Sequence, residues 1–589
     1  MSGVPRDALA DLPGVDRLDS LTRRVLAVAA VALLARLVFL GARVSHFDEG
    51  RVGWWTLHFL ESGQFEYRFI IHGPLVQHVN RVVFGVFGAN DFTLRLFVAL
   101  VGAALPLAAL LFRDHLRDDE TLGVAAFLAV NPVLLYYSRF FRSTLLVAGF
   151  AFVAFGLFVR ALDTRSARYA HLGVAFVALA FAAKENAAVY LLCWLGATAL
   201  VVDHRLFRTG ADEAGVDWLL ARVPDRDALA GHRAHLDRYV GHVLLGAAVF
   251  FGIVLFFYAP RSPDPGAVGL WQGLTNPARF PDVLARTVDD IANGYGYWFG
   301  GSTDHGNRYD SVVDEYLTYL GRSLRALGQY ALPLMVLSVA GFLAERYTRA
   351  RSRMLVLFAG YWGFVSVVGY PLGTDIFGAW IMVNALVPLT IPAGVGLAMV
   401  VRWARDALHG DALRFGISVF VLFLVVGQLA LALGGGVYTN ATSDDNELVQ
   451  FAQPADDFRS AMDALETADT DDGNADVLFV SGSYVRTRTD AEGETVLNPR
   501  NAGIEPRCTS ISDTLPLQWY VGKHDAEGAC TVTVEGAVRT VEDQQPTVVI
   551  VPPTMENRLE SELDGYRAET YRLRTTGNQA VFFVRTDAN

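Results

Sequence analysis

Lysine is nearly missing from this chain. Of 49 basic residues in 589, only Lys184 and Lys523 are lysines, and 61 acids bring the formal net charge to −12. No basic stripe stands apart from the ends of apolar runs, so the electrostatic footprint of a nucleic-acid binder is absent and no nucleic-acid partner is expected. Cysteine is scarce as well. Cys193 lies in an apolar run and reads as packing, while Cys508 and Cys530 share the carboxy-terminal part and can pair if it faces an oxidising exterior. There is no CxxC pair, no GxxxxGK[ST], no HExxH and no GxSxG. "GGSTDHG" at 300–306 lacks the strand–helix context of a phosphate loop, so nucleotide hydrolysis has no support.

What is abundant is apolar. The composition is 52% hydrophobic and 19% charged, with a mean hydropathy of +0.30. That is too apolar for a soluble protein of this length, which is long enough for two domains. Runs near twenty residues recur, each able to cross about 30 Å of hydrocarbon. The expected fold class is a polytopic α-helical membrane protein with about 11 spans, near 25–42, 92–112, 121–137, 144–162, 168–183, 186–202, 241–259, 330–344, 354–371, 379–401 and 412–434. No cleavable signal is expected, because the amino terminus carries mixed charges and no small-residue cleavage site follows the first run. The acid excess and arginine bias resemble a halophilic archaeal composition, with a strongly hydrated, salt-tolerant surface.

Arginine placement sets an orientation. Arg23 and Arg24, Arg113 and Arg117, Arg165 and Arg168, Arg205 and Arg208, Arg346 to Arg353, and Arg402 to Arg414 all fall on one side if the amino terminus is cytoplasmic. Outside then lie two large loops at 43–91 and 260–329, the "YYSRFFRST" turn (136–144), the "KEN" turn (184–186), "PLGTDIFG" (371–378) and everything after the last span. Residues 441–589 hold 27 acids and 12 bases, leaving 34 and 37 for the rest. The chain thus divides into a membrane domain (1–440) and an acidic extracytoplasmic domain (441–589). "DVLFV" (476–480), "TVVIVPP" (547–553) and "AVFFVRT" (580–586) read as buried strands. "DDFRSAMDALE" (456–466) and "MENRLESELDGY" (555–566) read as amphipathic helices, giving a small α/β domain. Asn440-Ala441-Thr442 is a glycosylation sequon close to the last span.

Candidate chemistry sits where spans meet the outer face. In "SHFDEGRVGWW" (45–55), Asp48 and Glu49 follow the first apolar run directly. An acid there can act as a base toward an acceptor hydroxyl or ligate a divalent cation such as Mg or Mn. The alternative is a solvated helix flank. Arg51 completes the cluster, and Trp54 and Trp55 read as interfacial anchors. Arg139 and Arg142 are left on the side the arginine bias disfavours, which suggests an anionic partner such as phosphate, or lipid headgroups. Lys184 and Glu185 interrupt an apolar stretch, either as a self-paired hairpin tip or as a cation facing phosphate or sugar. His72, in a turn closed by Gly73-Pro74, is a metal ligand, a proton shuttle or structural. Arg36 within the first span is costly by default, and it either functions or pairs to hold helices. Asp304-His305 and Asp375 are weaker candidates.

The order of these segments carries a resemblance. "HFDEGRVGWWTLHFLESGQF", then "HGPL", then "FGVFGANDFTLRLFVALVGAALPL", "NPVLLYYSRFFRSTLL" and "FAAKENAAVYLL" resemble the GT-C membrane glycosyltransferases of the dolichyl-phosphate-mannose–protein mannosyltransferase-like branch. "PLQWYVG" (516–522) resembles an archaeal flippase-activity-associated subfamily. The resemblance covers most of residues 20–400. It implies Asp48 as catalytic acid position with Glu49 its partner, Arg95 opening the second span, and Arg139 and Lys184 near a lipid phosphate. Members often carry an acidic residue or lysine before the proline turn where this chain has His72. The implied activity is sugar transfer from a polyprenyl (dolichyl) phosphate to a lipid-linked glycan or protein acceptor at the outer face of the cell membrane, with bilayer lipids as further partners. The alternative is a non-catalytic accessory or flippase component for dolichol-linked glycans in N-glycosylation.

Overall fold

A computed structural model describes residues 18–208, 233–299, 311–348, 352–373, 376–408, 410–468, 473–490, 493–498, 503–575 and 577–586. The chain begins with α1 (Ser20–Leu37), whose first turn is capped by the Asp19 carboxylate on the Thr22 N–H at 2.8 Å. Two helices of the first large loop follow, α2 (Phe47–Ser62) and α3 (Pro74–Phe87), the latter with proline at its first position, where no N–H is needed. Then come α4 (Asp91–Ala104), prolonged as a tighter helix to Phe112, α5 (Asp118–Val130), α6 (Pro132–Ser138), α7 (Ser143–Thr164) and α8 (Ala167–Ala183).

Seven helices among the described residues are long and apolar enough to cross a membrane, or nine if each of two bent pairs counts once. Every one of the eleven expected spans falls on a helix, but eleven is more than meet the test. α1 carries Arg23, Arg24 and Arg36 in 18 residues, and α8 has only 17. The expected span 121–137 is α5 and α6, bent by 51° at Asn131-Pro132. Proline removes a helical hydrogen bond there, and Arg36 donates to the freed Leu128 and Ala129 carbonyls at 3.1 and 2.9 Å. The bundle is built around Ala379–Ala407, 94% of whose apolar window is buried, whereas Tyr239–Tyr258 and Ala412–Thr439 are 6% and 11% buried and lie at its periphery.

The tail carries a five-stranded sheet, in spatial order β4-β1-β5-β7-β6, and a β2-β3 ribbon. The strands are β1 (Val477–Val480), β2 (Thr487–Thr489), β3 (Thr495–Leu497), β4 (Gly528–Thr531), β5 (Val548–Val551), β6 (Tyr566–Arg574) and β7 (Gly577–Arg585). β1 and β5 are apolar at every position and buried throughout, as parallel strands covered on both faces must be. β6 and β7 form an antiparallel hairpin at one edge. The helix expected over 555–566 is shorter: helical turns cover only Pro553–Glu560, and Tyr566 already opens β6. Cys508 and Cys530 are disulfide-bonded.

Tail and bundle share one hydrophobic core. The helix Leu517–Lys523 lies on α2 so closely that a Cβ at Gly50 would fall 2.5 Å from Pro516 Cβ, and one at Gly53 would fall 2.8 Å from the Trp519 ring. Asp91 accepts from Trp519 Nε1, Tyr520 Oη and Ser45 Oγ at 3.0, 3.0 and 2.8 Å, pinning the start of α4 to both.

Candidate functional site

The stretch Ser45–Trp55 opens α2 with a reciprocal cap. The Asp48 N–H donates to His46 Nδ1, and the His46 N–H donates to a Glu49 carboxylate oxygen, each at 2.9 Å. The cap sends the two adjacent acids in different directions. Glu49 is fully buried and takes Arg95 Nε and Nη2 at 2.8 Å each, Arg43 Nη2 at 2.9 Å and the Phe141 N–H at 2.8 Å. Burial works to raise its carboxyl, but Arg43 and Arg95 outweigh that and hold it well below the usual carboxylate range. Glu49 therefore ties α2 to α4 and fixes the backbone one residue before Arg142.

Asp48 faces the opposite way, toward that arginine. Arg142 Nη1 lies 2.8 Å from Asp48 Oδ2 and 2.9 Å from the Oε1 of Gln450, and its guanidinium stacks 3.8 Å above the Trp380 ring. Burial pushes the Asp48 carboxyl up, while His46, Arg142 and His72 push it further down. Burial also lowers the imidazoles, His46 to about 4 and His72 to about 3. Both rings are thus neutral at neutral pH, and Arg142 is the charge that keeps Asp48 ionised there.

His72 is brought in by a tight crossing. The Gly73 N–H donates to the Ala183 carbonyl at 2.8 Å, and a Cβ at Gly73 would sit 2.5 Å from the Ala182 oxygen. Only glycine allows this approach, and it sets the "HGP" turn against the end of α8, beside Lys184. His72 Nδ1 lies 3.2 Å from Ser143 Oγ, and its Nε2 is buried with no partner. Both Asp48 and Lys184 act on this ring electrostatically. Lys184 Nζ stands 4.6 Å above the Trp298 ring. Glu185 is buried with its Oε1 unpartnered, and its backbone carbonyl accepts from Tyr295 Oη at 3.1 Å. Arg51, one turn beyond Asp48, has a buried, unpartnered Nε; burial lowers its guanidinium, which Asp48 in part offsets.

Asp48, Arg142, His72, Lys184 and Arg51 thus converge. Arg139 does not join them: its Nη2 donates to the Phe39 carbonyl at 3.0 Å and its guanidinium covers Tyr438. Arg36 is spent on helix-end carbonyls, and Glu49 on its own arginines. Asp304, His305 and Asp375 lie outside the described residues. Sequence reasoning missed Gln450 and Trp380, and also Arg574, whose guanidinium carbon is 5.3 Å from the Phe47 ring and which donates to the Leu515 and Ser512 carbonyls. Gln450 is 308 residues from Arg142, and no local pattern marks any of the three.

Asp48 and His72 do not by themselves make a complete ligand set for a divalent cation. Among the described residues, the one group of three His, Cys, Asp or Glu ligand atoms within mutual reach is Asp463, Glu466 and His524, in the tail. Asp48 and His72 have no third such partner, and a guanidinium already holds one Asp48 oxygen.

Residues 71–215 match the family model described as dolichyl-phosphate-mannose-protein mannosyltransferase, and residues 458–585 match that of the Agl23 flippase-associated protein C-terminal domain. The chain is similar to each of these families over those residues. Its fold is shared with crystal structures of ArnT from Cupriavidus metallidurans. The apo state is 15% identical over 97% of this chain and 99% of that one, with a TM-score of 0.53. The undecaprenyl-phosphate-bound state is 15% identical over 95% and 98%, with a TM-score of 0.54. No curated protein matches by sequence. The seven described helices long and apolar enough to cross a membrane support a multi-pass membrane protein.

Proposed function

We propose that the protein transfers a sugar from a polyprenyl (dolichyl) phosphate to a lipid-linked glycan or protein acceptor at the outer face of the cell membrane. The observation that carries this reading is the ionised Asp48 held by Arg142 beside a neutral His72, at the start of α2. Asp48 takes the acceptor hydroxyl proton as the new glycosidic bond forms. The bond between the sugar and the phosphate oxygen breaks, and the polyprenyl phosphate leaves with its electron pair. Arg142 and Lys184 meet the charge that develops on that oxygen. A phosphate that draws the Arg142 guanidinium toward itself also frees Asp48 to act as a base, so donor binding and base activation are coupled.

The arginine bias supports a cytoplasmic amino terminus and an exterior tail, and the Cys508–Cys530 disulfide agrees with an oxidising exterior. The test is sugar transfer in membranes from dolichyl-phosphate-linked mannose with Asp48→Asn. A folded variant giving the wild-type glycan profile refutes the catalytic role. The similarity of residues 458–585 to a flippase-associated protein's C-terminal domain favours one second reading, a non-catalytic accessory of lipid-linked glycan export. That reading expects Asp48→Asn to leave the glycan profile intact and removal of the whole protein to change it.

A further inference from the structure

Gln450 belongs to the segment that leads from the last bundle helix into the tail, and both parts hold it still. Upstream, Asn446 accepts from Tyr330 Oη at 2.8 Å and donates to the Gly436 carbonyl at 2.7 Å. The Leu448 carbonyl takes Tyr137 Oη at 2.7 Å. Downstream, Thr575 on the β6–β7 turn donates to the Phe451 carbonyl at 2.9 Å, and Gln453 bridges Arg43 and the Val44 carbonyl.

This clamped segment puts the Gln450 side chain, 5% exposed, against Arg142. A guanidinium has only hydrogens to offer, so the amide oxygen must face it and the amide nitrogen must point away. That nitrogen is buried and has no partner. Buried donors are paired in the great majority of native sites, and an unpaired one calls for a missing acceptor. Two more buried nitrogens without partners, His72 Nε2 and Arg51 Nε, belong to residues that interact electrostatically with Asp48. An oxygen-rich anionic ligand beside Asp48 and Arg142 would satisfy such a set.

We propose that Gln450 is a substrate-binding residue supplied by the tail: its amide hydrogens donate to a phosphoryl oxygen of the polyprenyl-phosphate donor, next to Arg142. This rests on the transferase reading above and adds to it that the site is built from both parts of the chain. Arg142 is shared between Asp48 and Gln450, so the same amide also orients the guanidinium.

The test is equilibrium binding of radiolabelled dolichyl phosphate to the full-length protein in detergent, comparing wild type with Gln450→Glu and Gln450→Met. Gln450→Glu keeps an oxygen for Arg142 but sets a negative charge before the phosphate, and it weakens binding by about tenfold or more, the scale of one hydrogen bond to a charged oxygen. Gln450→Met keeps the length, loses both bonds, and weakens binding by several fold. Unfolding temperatures near that of wild type show that the variants fold. A merely structural role for the amide predicts that Gln450→Glu, which keeps the Arg142 contact, binds like wild type, and that result overturns the proposal while leaving the transferase reading standing. Wild-type protein that does not bind dolichyl phosphate at all overturns that reading and this proposal with it.

Discussion

Asp48→Asn and Glu49→Gln are adjacent, nearly isosteric substitutions, and they should act oppositely. Glu49 is fully buried and accepts five hydrogen bonds: two from Arg95, one from Arg43 and two from the backbone of His46 and Phe141. Arg95 is itself fully buried, so an amide at 49 leaves its charge without a carboxylate in contact. Breaking a buried pair from one side costs about 3–5 kcal/mol. The Asp48 side chain is 16% exposed and makes one short ion pair, whose loss costs less, about 1.5–3 kcal/mol. The assay is thermal unfolding of the purified protein in detergent at neutral pH, alongside sugar transfer by the folded fraction. Glu49→Gln should lower the unfolding temperature strongly, and Asp48→Asn should abolish transfer with a smaller loss of stability. Removing both charges, as Glu49→Met with Arg95→Met, should recover much of the loss because no unpaired charge remains. A Glu49→Gln protein as stable as wild type, or less stable only to the extent that Asp48→Asn is, would refute the division of labour.

Acid sensitivity has a definite sign. His46 and His72 are neutral in the fold down to about 4 and about 3, below the ordinary 6.5, so the unfolded chain takes up their protons first. Stability should be complete above pH 6.5 and fall as the pH drops toward 4, by about 3 kcal/mol for His46 alone, and a pH series of unfolding curves checks this. Arg142→Ala should cut transfer far more than Arg139→Ala, since only Arg142 touches Asp48; equal losses in parallel transfer assays would count against the site. Gly50→Val should drive the helix Leu517–Lys523 off α2 at a cost of about 2 kcal/mol, read as faster proteolysis of the tail. Reducing Cys508–Cys530, which closes a separation of 22 residues, should cost about 3 kcal/mol, measured as the shift of unfolding temperature with dithiothreitol.

Much of this fold is legible in the chain because it is written locally. Apolar runs near twenty residues fall on helices, and "DVLFV", "TVVIVPP" and "AVFFVRT" fall on strands, since length and continuous burial leave little choice of element. The hairpin strand β6 escaped notice because "GYRAETYRLR" is mostly polar at an exposed edge, and its partner β7 supplies the pairing from outside. At the site, Asp48 and His72 stand out by sequence because charge and imidazole are rare in apolar surroundings. The difference between Asp48 and Glu49 does not, because it depends on Arg95, Arg43 and Phe141 arriving from elsewhere. The same holds for the exchange of Arg139 for Arg142: three residues apart, they face different neighbours only after the turn is folded. Gln450 and Trp380 are ordinary residues until Arg142 lies between them.

The contact between Arg142 and Gln450 has a consequence for how the molecule comes into being. Chains are made from the amino terminus onward, so Asp48, His72, Arg142 and Lys184 all exist long before the ribosome reaches residue 450. Until then Arg142 lacks the Gln450 amide oxygen, and α2 lacks the helix that covers Gly50 and Gly53. A truncated or stalled chain carries these acids and arginines but lacks Gln450 and the helix Leu517–Lys523. The last quarter of the polypeptide thus completes the surroundings of Arg142 and α2, which are finished only once Gln450 and the helix Leu517–Lys523 have been made and folded back onto the beginning of the chain.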